Sequence, residues 1–123
     1  MKINRDGLRL KVTLRLDDRE GQRRFGPGVA ALLSRVRTHK SLRAAAADMG
    51  MAYSKAWRIS RSAEEAFGCK LLDSTIGGRH GGGAVLTVEA EALLEAYQKL
   101  RDEVDAFARE RFREHFQAFQ NGE

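Results

Sequence analysis

Apolar and polar positions alternate near the start of the chain. Leu8, Leu10, Val12, Leu14 and Leu16 interleave with Arg9, Lys11, Thr13 and Arg15. A period of two predicts a strand with one buried face. The next stretch, DDREGQRRFGPG, holds charge, three glycines and the only proline, and is expected to be a loop. Pro27 suits a first helical turn, and Val29, Leu32, Leu33 and Val36 then recur at helical spacing to about Thr38. Ser41 is a good N-cap for LRAAAADM, a short helix stopped at Gly50. MAYS reads as a turn and KAWRISRSAEEAF as a second helix stopped at Gly68. CKLLDSTI and AVLT, two β-compatible runs, flank GGRHGGG and predict a hairpin. Thr87 caps a final helix with Glu89 and Glu91 at its positive end. There Leu93, Tyr97, Leu100, Val104 and Phe107 follow at 4-3-4-3 spacing, a coiled-coil seam. Phe112, Phe116 and Phe119 continue the apolar content after a phase shift at Arg111. A helix from Thr87 to Gln120 would be about 50 Å long.

Two short helices joined by a glycine-containing turn outline a helix-turn-helix. Small Ala45 and Ala46 sit where two crossing helices must come close, and Gly50 can take the positive φ of the tight turn. Ala56, Ile59 or Ser60, Ala63 and Phe67 form the inward stripe of the second helix. Any αα corner carries similar residues; the hairpin that follows is what turns the outline into a winged helix. The expected fold class is therefore mainly α with small β: a winged helix-turn-helix with an N-terminal strand and a long C-terminal dimerisation helix. Residues 1–86 would form the DNA-binding domain, with the wing at about 71–87, and residues 87–123 the helix of the same unit.

Composition narrows the class. A chain of 123 residues with 42% hydrophobic content suits one domain with a core, and 32% charge with one proline is unlike a disordered chain. Cys69 is the only cysteine, which excludes an intramolecular disulfide and a cysteine-only metal site. No apolar run reaches the roughly 18 residues of a membrane span, and the first residues lack an apolar signal core. A cytoplasmic protein without a membrane partner is expected. Residues 1–80 hold 17 Lys/Arg against 8 Asp/Glu, and residues 81–123 hold 5 against 9. The first part is thus basic (+9) and the last part mildly acidic (−4), an asymmetry that suits a polyanion partner or, equally, a solubilising surface.

Candidate chemistry lies on the second helix of the motif. Tyr53, Ser54, Lys55, Arg58, Arg61 and Ser62 fall near its N-terminus and along one broad side, with no acidic residue between Gly50 and Arg61. Lys and Arg one turn apart can reach guanine edges or phosphates in a major groove of double-stranded DNA. A solvated basic face is the alternative. Trp57 is expected to be a packing anchor, and Glu64 and Glu65 to repel DNA and confine contact to the first two turns. Arg79 and His80 at the hairpin tip would touch the backbone or minor groove.

The glycine-rich stretch does not fit a nucleotide cradle. It lacks the Lys-Ser/Thr pair of a phosphate loop, and AVLT after it is strand-like rather than helical. His80 has no second His or Cys at metal-ligand spacing. No carboxylate pair or activated nucleophile points to an enzyme, so no catalytic residue, metal or cofactor is expected. A second binding class stays open: a small oxyanion such as molybdate or tungstate, held by backbone N–H groups of the glycine loop and by Arg79. For the last helix, a second copy of the chain is the expected partner, with Leu93, Tyr97, Leu100, Val104, Phe107 and Phe112 in the interface. The alternative is an amphipathic helix folded back on its own domain.

These residues carry a family resemblance. The leading strand, the segment around Tyr53 and Ala56-Trp57, and above all GG-x-x-GGGAVLT at Gly77–Thr87 resemble the N-terminal DNA-binding domain of the molybdate-responsive transcriptional regulators of the ModE family. The resemblance runs from about Leu8 to Phe119. The alanine-rich helix, the EE-x-x-G step at Glu64–Gly68 and the Leu-Thr before the last helix are also similar to the winged helix of LysR-type regulators. The resemblance implies a winged-helix homodimer on a palindromic operator, its interface made by the long helix and the N-terminal segment. In full-length ModE proteins molybdate-binding domains follow, whereas this sequence ends at Glu123. Molybdate sensing is therefore not carried over. The expectation is a stand-alone regulator of molybdenum-related or other genes, one served by a separate sensor protein or oxyanion effector, or a shortened chain.

Overall fold

The computed structural model describes residues 2–75 and 83–119. Eight elements follow one another: β1 (Leu16–Asp17), β2 (Arg23–Phe25), α1 (Pro27–His39), α2 (Leu42–Asp48), α3 (Tyr53–Phe67), β3 (Leu72–Thr75), β4 (Gly83–Leu86) and α4 (Val88–His115). The mainly α winged helix-turn-helix expected from the sequence is the fold observed.

The caps explain the boundaries. Pro27 opens α1, and the Ser41 hydroxyl accepts the Ala44 N–H at 3.0 Å to start α2. Gly50 has φ +64, so the turn between α2 and α3 uses the left-handed region open to glycine. The Thr87 hydroxyl accepts the Ala90 N–H at 3.0 Å and donates to the Lys70 carbonyl at 2.7 Å, tying α4 to the entry of the wing. Tyr53 and Ser54, expected in the turn, are the first residues of α3.

Two packed clusters form the core. One gathers Leu32, Val36, Ala45, Ala46, Ala56 and Ala84, so small alanines let α2 and α3 cross closely under β4. The other centres on Phe25, Leu33, Leu71, Leu94 and Tyr97. On α3 the buried stripe is Ala56, Ser60 and Ala63; the Ser60 hydroxyl donates to the Ala56 carbonyl at 2.8 Å, which satisfies it inside the core.

The wing is an antiparallel pair with Leu72 opposite Leu86 and Thr75 opposite Gly83. It is anchored to the domain by one backbone bond, from the Ala84 N–H to the Lys40 carbonyl at 3.0 Å. Gly83 lies so close to that carbonyl that a Cβ there would sit 2.6 Å from it.

Three expectations are corrected. The stretch 17–28, read as loop, holds all of the β1–β2 hairpin but Leu16 and delivers Phe25 to the core at 2% exposure. A single aromatic in a charged segment has no periodicity to reveal it. The N-terminal strand shrinks to Leu16–Asp17. Leu10, Val12 and Leu14 are half-buried and Arg9, Lys11, Thr13 and Arg15 exposed, as alternation requires, but Leu8 and Leu16 at the two ends are exposed as well, and residues 8–15 have no ladder partner among the described residues. The segment is tied to α4 instead, by Tyr97 Oη donating to the Leu14 carbonyl at 2.8 Å, and just before it Arg5 Nε donates to the Phe119 carbonyl, past the end of α4, at 2.8 Å. Finally, α4 ends at His115, not Gln120. Its 28 residues span about 42 Å, and at its end Phe116 stacks on Phe112 of the last turn at 4.6 Å and meets Phe119 edge-on at 5.5 Å.

Candidate nucleic-acid interface

Helix α3 buries one stripe and shows the rest. The exposed residues divide among three sides. Ser54 and Arg58 lie on the outermost side, both exposed, and Arg58 has no charged or hydrogen-bonded partner among the described residues. Tyr53, Trp57 and Arg61 turn toward the wing. They line a cleft of about 390 Å³ with Ser41 and Arg43 of the α2 start and Ser74 and Gly83 of the wing. Lys55 and Ser62 turn the other way, toward Arg15, Arg23 and Arg24 of the N-terminal hairpin.

Ser62 departs from the expected set. Its hydroxyl accepts from Arg24 Nη1 at 3.0 Å, while Arg24 Nε pairs with Asp18 at 2.8 Å. That bridge fastens the hairpin to α3, so Ser62 is a structural contact. Asp18 is held below the usual carboxylate range first by the Gln22 backbone N–H, then by Arg24.

The wing side holds two arginine–aromatic stacks. The Arg43 guanidinium lies 4.2 Å from the Tyr53 ring centroid and the Arg61 guanidinium 5.2 Å from that of Trp57. Such contacts preorient a planar guanidinium without removing its N–H donors. Arg61 is further steered by Glu64 at 3.6 Å. Glu64 is not the free repelling charge expected. Its other carboxylate oxygen accepts the Leu71 and Leu72 N–H groups at 2.9 and 3.2 Å, so it fastens the recognition helix to the start of the wing.

Trp57 corrects a third expectation. It is 50% exposed and belongs to neither core cluster, so it is not a packing anchor. Arg43 and Arg23 were missed as members of the basic surface, because their sides depend on how α2 and the first hairpin meet α3. Arg79 and His80 lie outside the described residues, as does most of the glycine run. Among the described residues no cluster of His, Cys, Asp and Glu could hold a metal ion, and no helix is long and apolar enough to cross a membrane.

The seam expected for dimerisation divides as well. Tyr97 is 5% exposed in the chain's own core, and Leu93 packs against that core. Phe112 is half-buried beneath Arg5, whose guanidinium lies 5.5 Å from its ring. Val104 is half-buried, while Leu100 and Phe107 are 47% and 66% exposed.

A helix-turn-helix with an exposed, acid-free recognition face beside a wing defines a winged-helix DNA-binding protein. Residues 30–91, from α1 to the start of α4, match the model of the bacterial regulatory helix-turn-helix proteins of the lysR family, and the chain belongs to that family. The chain is also similar to the molybdenum-pterin-binding protein MopB of Rhodobacter capsulatus, 35% identical over 74 residues. The match takes in 60% of this chain but 27% of that protein, so the chain spans about a quarter of its relative's length.

Proposed function

We propose that the protein is a sequence-specific transcriptional regulator that binds a palindromic operator as a homodimer, in the manner of the ModE proteins, at genes connected with molybdenum. The observation that carries the DNA-binding part is the α3 surface: Ser54, Arg58 and the wing-side Tyr53 and Arg61 are exposed together, with no acidic side chain from Met51 to Ser60. Lys55 extends that surface toward the hairpin and grips backbone phosphate. Arg79 and His80 would extend it along the wing. The homodimer is supported by α4. It buries Ala90, Leu94 and Tyr97 in its first third and exposes Leu100 and Phe107 farther along. A second copy packed there would set two recognition helices for half-sites about 34 Å apart. The link to molybdenum is supported by the name of the relative alone.

Selection of bound duplexes from a randomised library, with and without molybdate, tests the proposal. A palindromic site is expected. Arg58→Ala should then weaken binding to that site by about 1–3 kcal/mol and relax preference at one position per half-site. Affinity should fall steeply with salt. Absence of duplex binding at low salt refutes the proposal. A change of selected site with molybdate would show an oxyanion effector.

A further inference from the structure

We propose that Trp57 is a specificity residue that seats its indole edge on a thymine methyl group in the operator; the proposal rests on the DNA-binding function proposed above. Three observations carry it. First, half of Trp57 is exposed, and the residue contributes to neither core cluster. A large aromatic side chain left in water forgoes its burial energy unless a partner covers it. Second, it lies on the recognition helix directly before Arg58 and one turn before Arg61, in the cleft between α3 and the wing. A partner that covers Trp57 must also meet these guanidinium groups, which selects a polyanion over an apolar protein surface. Third, Arg61 lies over the indole at 5.2 Å and is also paired with Glu64 at 3.6 Å, so the ring and its arginine form one preset unit.

The chemistry of the duplex then identifies the contact. Bases inside a duplex are stacked and offer no face to an indole. Of the groups that line a major groove, the C5-methyl of thymine is the one apolar group that projects; cytosine offers only a C5–H there, and the remaining groups are hydrogen-bond donors and acceptors. An indole beside a guanidinium therefore suits a thymine next to a base or phosphate that accepts hydrogen bonds.

The test follows operator selection with single thymine-to-uracil replacements, each of which deletes one methyl and leaves base pairing intact. Wild-type protein should bind about fourfold more weakly when one particular thymine per half-site is replaced, the ratio that burial of one methyl-sized group supplies. Trp57→Ala should be indifferent to uracil at that position and keep wild-type sensitivity at every other position. Trp57→Phe, which keeps an apolar ring, should retain part of the uracil penalty, and circular dichroism would verify that both variants fold. Wild-type indifference to uracil everywhere overturns the inference while leaving DNA binding intact. So does an unchanged uracil penalty in Trp57→Ala. A uniform loss in Trp57→Ala with no position singled out would place the indole on the sugar backbone and overturn it too. Failure of wild-type protein to bind any duplex would instead refute the underlying function.

Discussion

Replacing Gly83 by alanine should loosen the wing from the domain. The wing meets the body of the protein at the C-terminal cap of α1, where the Ala84 N–H donates to the Lys40 carbonyl at 3.0 Å. A Cβ on Gly83 would stand 2.6 Å from that carbonyl oxygen and 2.6 Å from Thr75 Oγ1. The threonine hydroxyl can rotate away. The carbonyl cannot, because Lys40 is already fixed in the left-handed region at φ +57 with its own N–H bonded to the Val36 carbonyl at 2.7 Å. Overpacking of this kind costs about 1–3 kcal/mol. Loss of the Ala84 bond, if the strand moves off to relieve it, costs about 0.5–1.5 kcal/mol. These are alternative routes of relief and the cheaper one sets the cost, so the expected destabilisation is about 0.5–1.5 kcal/mol, or a Tm lower by roughly 2–6 °C for a domain of this size.

Thermal and urea unfolding followed by circular dichroism measure the effect. Gly28→Ala is the control: it lies in the first turn of α1 with open space around it and no positive φ. Alanine there should stabilise by up to about 1 kcal/mol through helix propensity. A Gly83→Ala protein within about 0.5 kcal/mol of wild type would refute the close approach as the reason for glycine at that position.

Tyr97→Phe removes the hydroxyl that bonds the Leu14 carbonyl, and should cost about 0.5–1.5 kcal/mol; hydrogen exchange should show faster opening of residues 8–15, and unchanged exchange there would count against that tether. Leu100→Glu with Phe107→Glu should convert a dimer to a folded monomer in sedimentation, since both side chains are exposed and neither belongs to the core; an unchanged sedimentation coefficient would move the interface elsewhere. Asp18 has a lowered folded-state pKa, with the Gln22 backbone N–H the largest cause. Its contribution is therefore present above the ordinary carboxylate value of about 3.9 and is lost as pH falls through the depressed value. Asp18→Asn should be less stable than wild type at neutral pH and converge with it in acid; a gap that does not narrow would contradict this assignment.

What was legible in the sequence, and what was not, follows the range of the interactions. Helix caps, the Gly50 turn and the alanine crossing were legible because each is decided by neighbours within four or five residues. Phe25 was not, because its burial is set by α3 and α4, and it packs edge-on against Phe67 and Tyr97 at 5.7 and 5.2 Å. The same limit acts on the candidate site. Helical spacing placed Arg58 and Arg61 on the outer surface of α3, but whether Trp57 faced core or solvent depended on where the wing lay. The α4 seam shows the consequence most clearly. A 4-3-4-3 repeat says that one stripe is apolar; it does not say which molecule covers it. Here the start of the stripe, Leu93 and Tyr97, is covered by the chain's own core. Its distal end at Phe112 is covered by the N-terminal segment through Arg5. What remains is the middle, Leu100, Val104 and Phe107. A dimer contact there is shorter than the whole seam, and it lies beside an N-terminal segment whose backbone edge has no ladder partner among the described residues. Both surfaces are thus available to one second copy, which makes the N-terminal segment and the middle of α4 one interface in the proposed dimer rather than two.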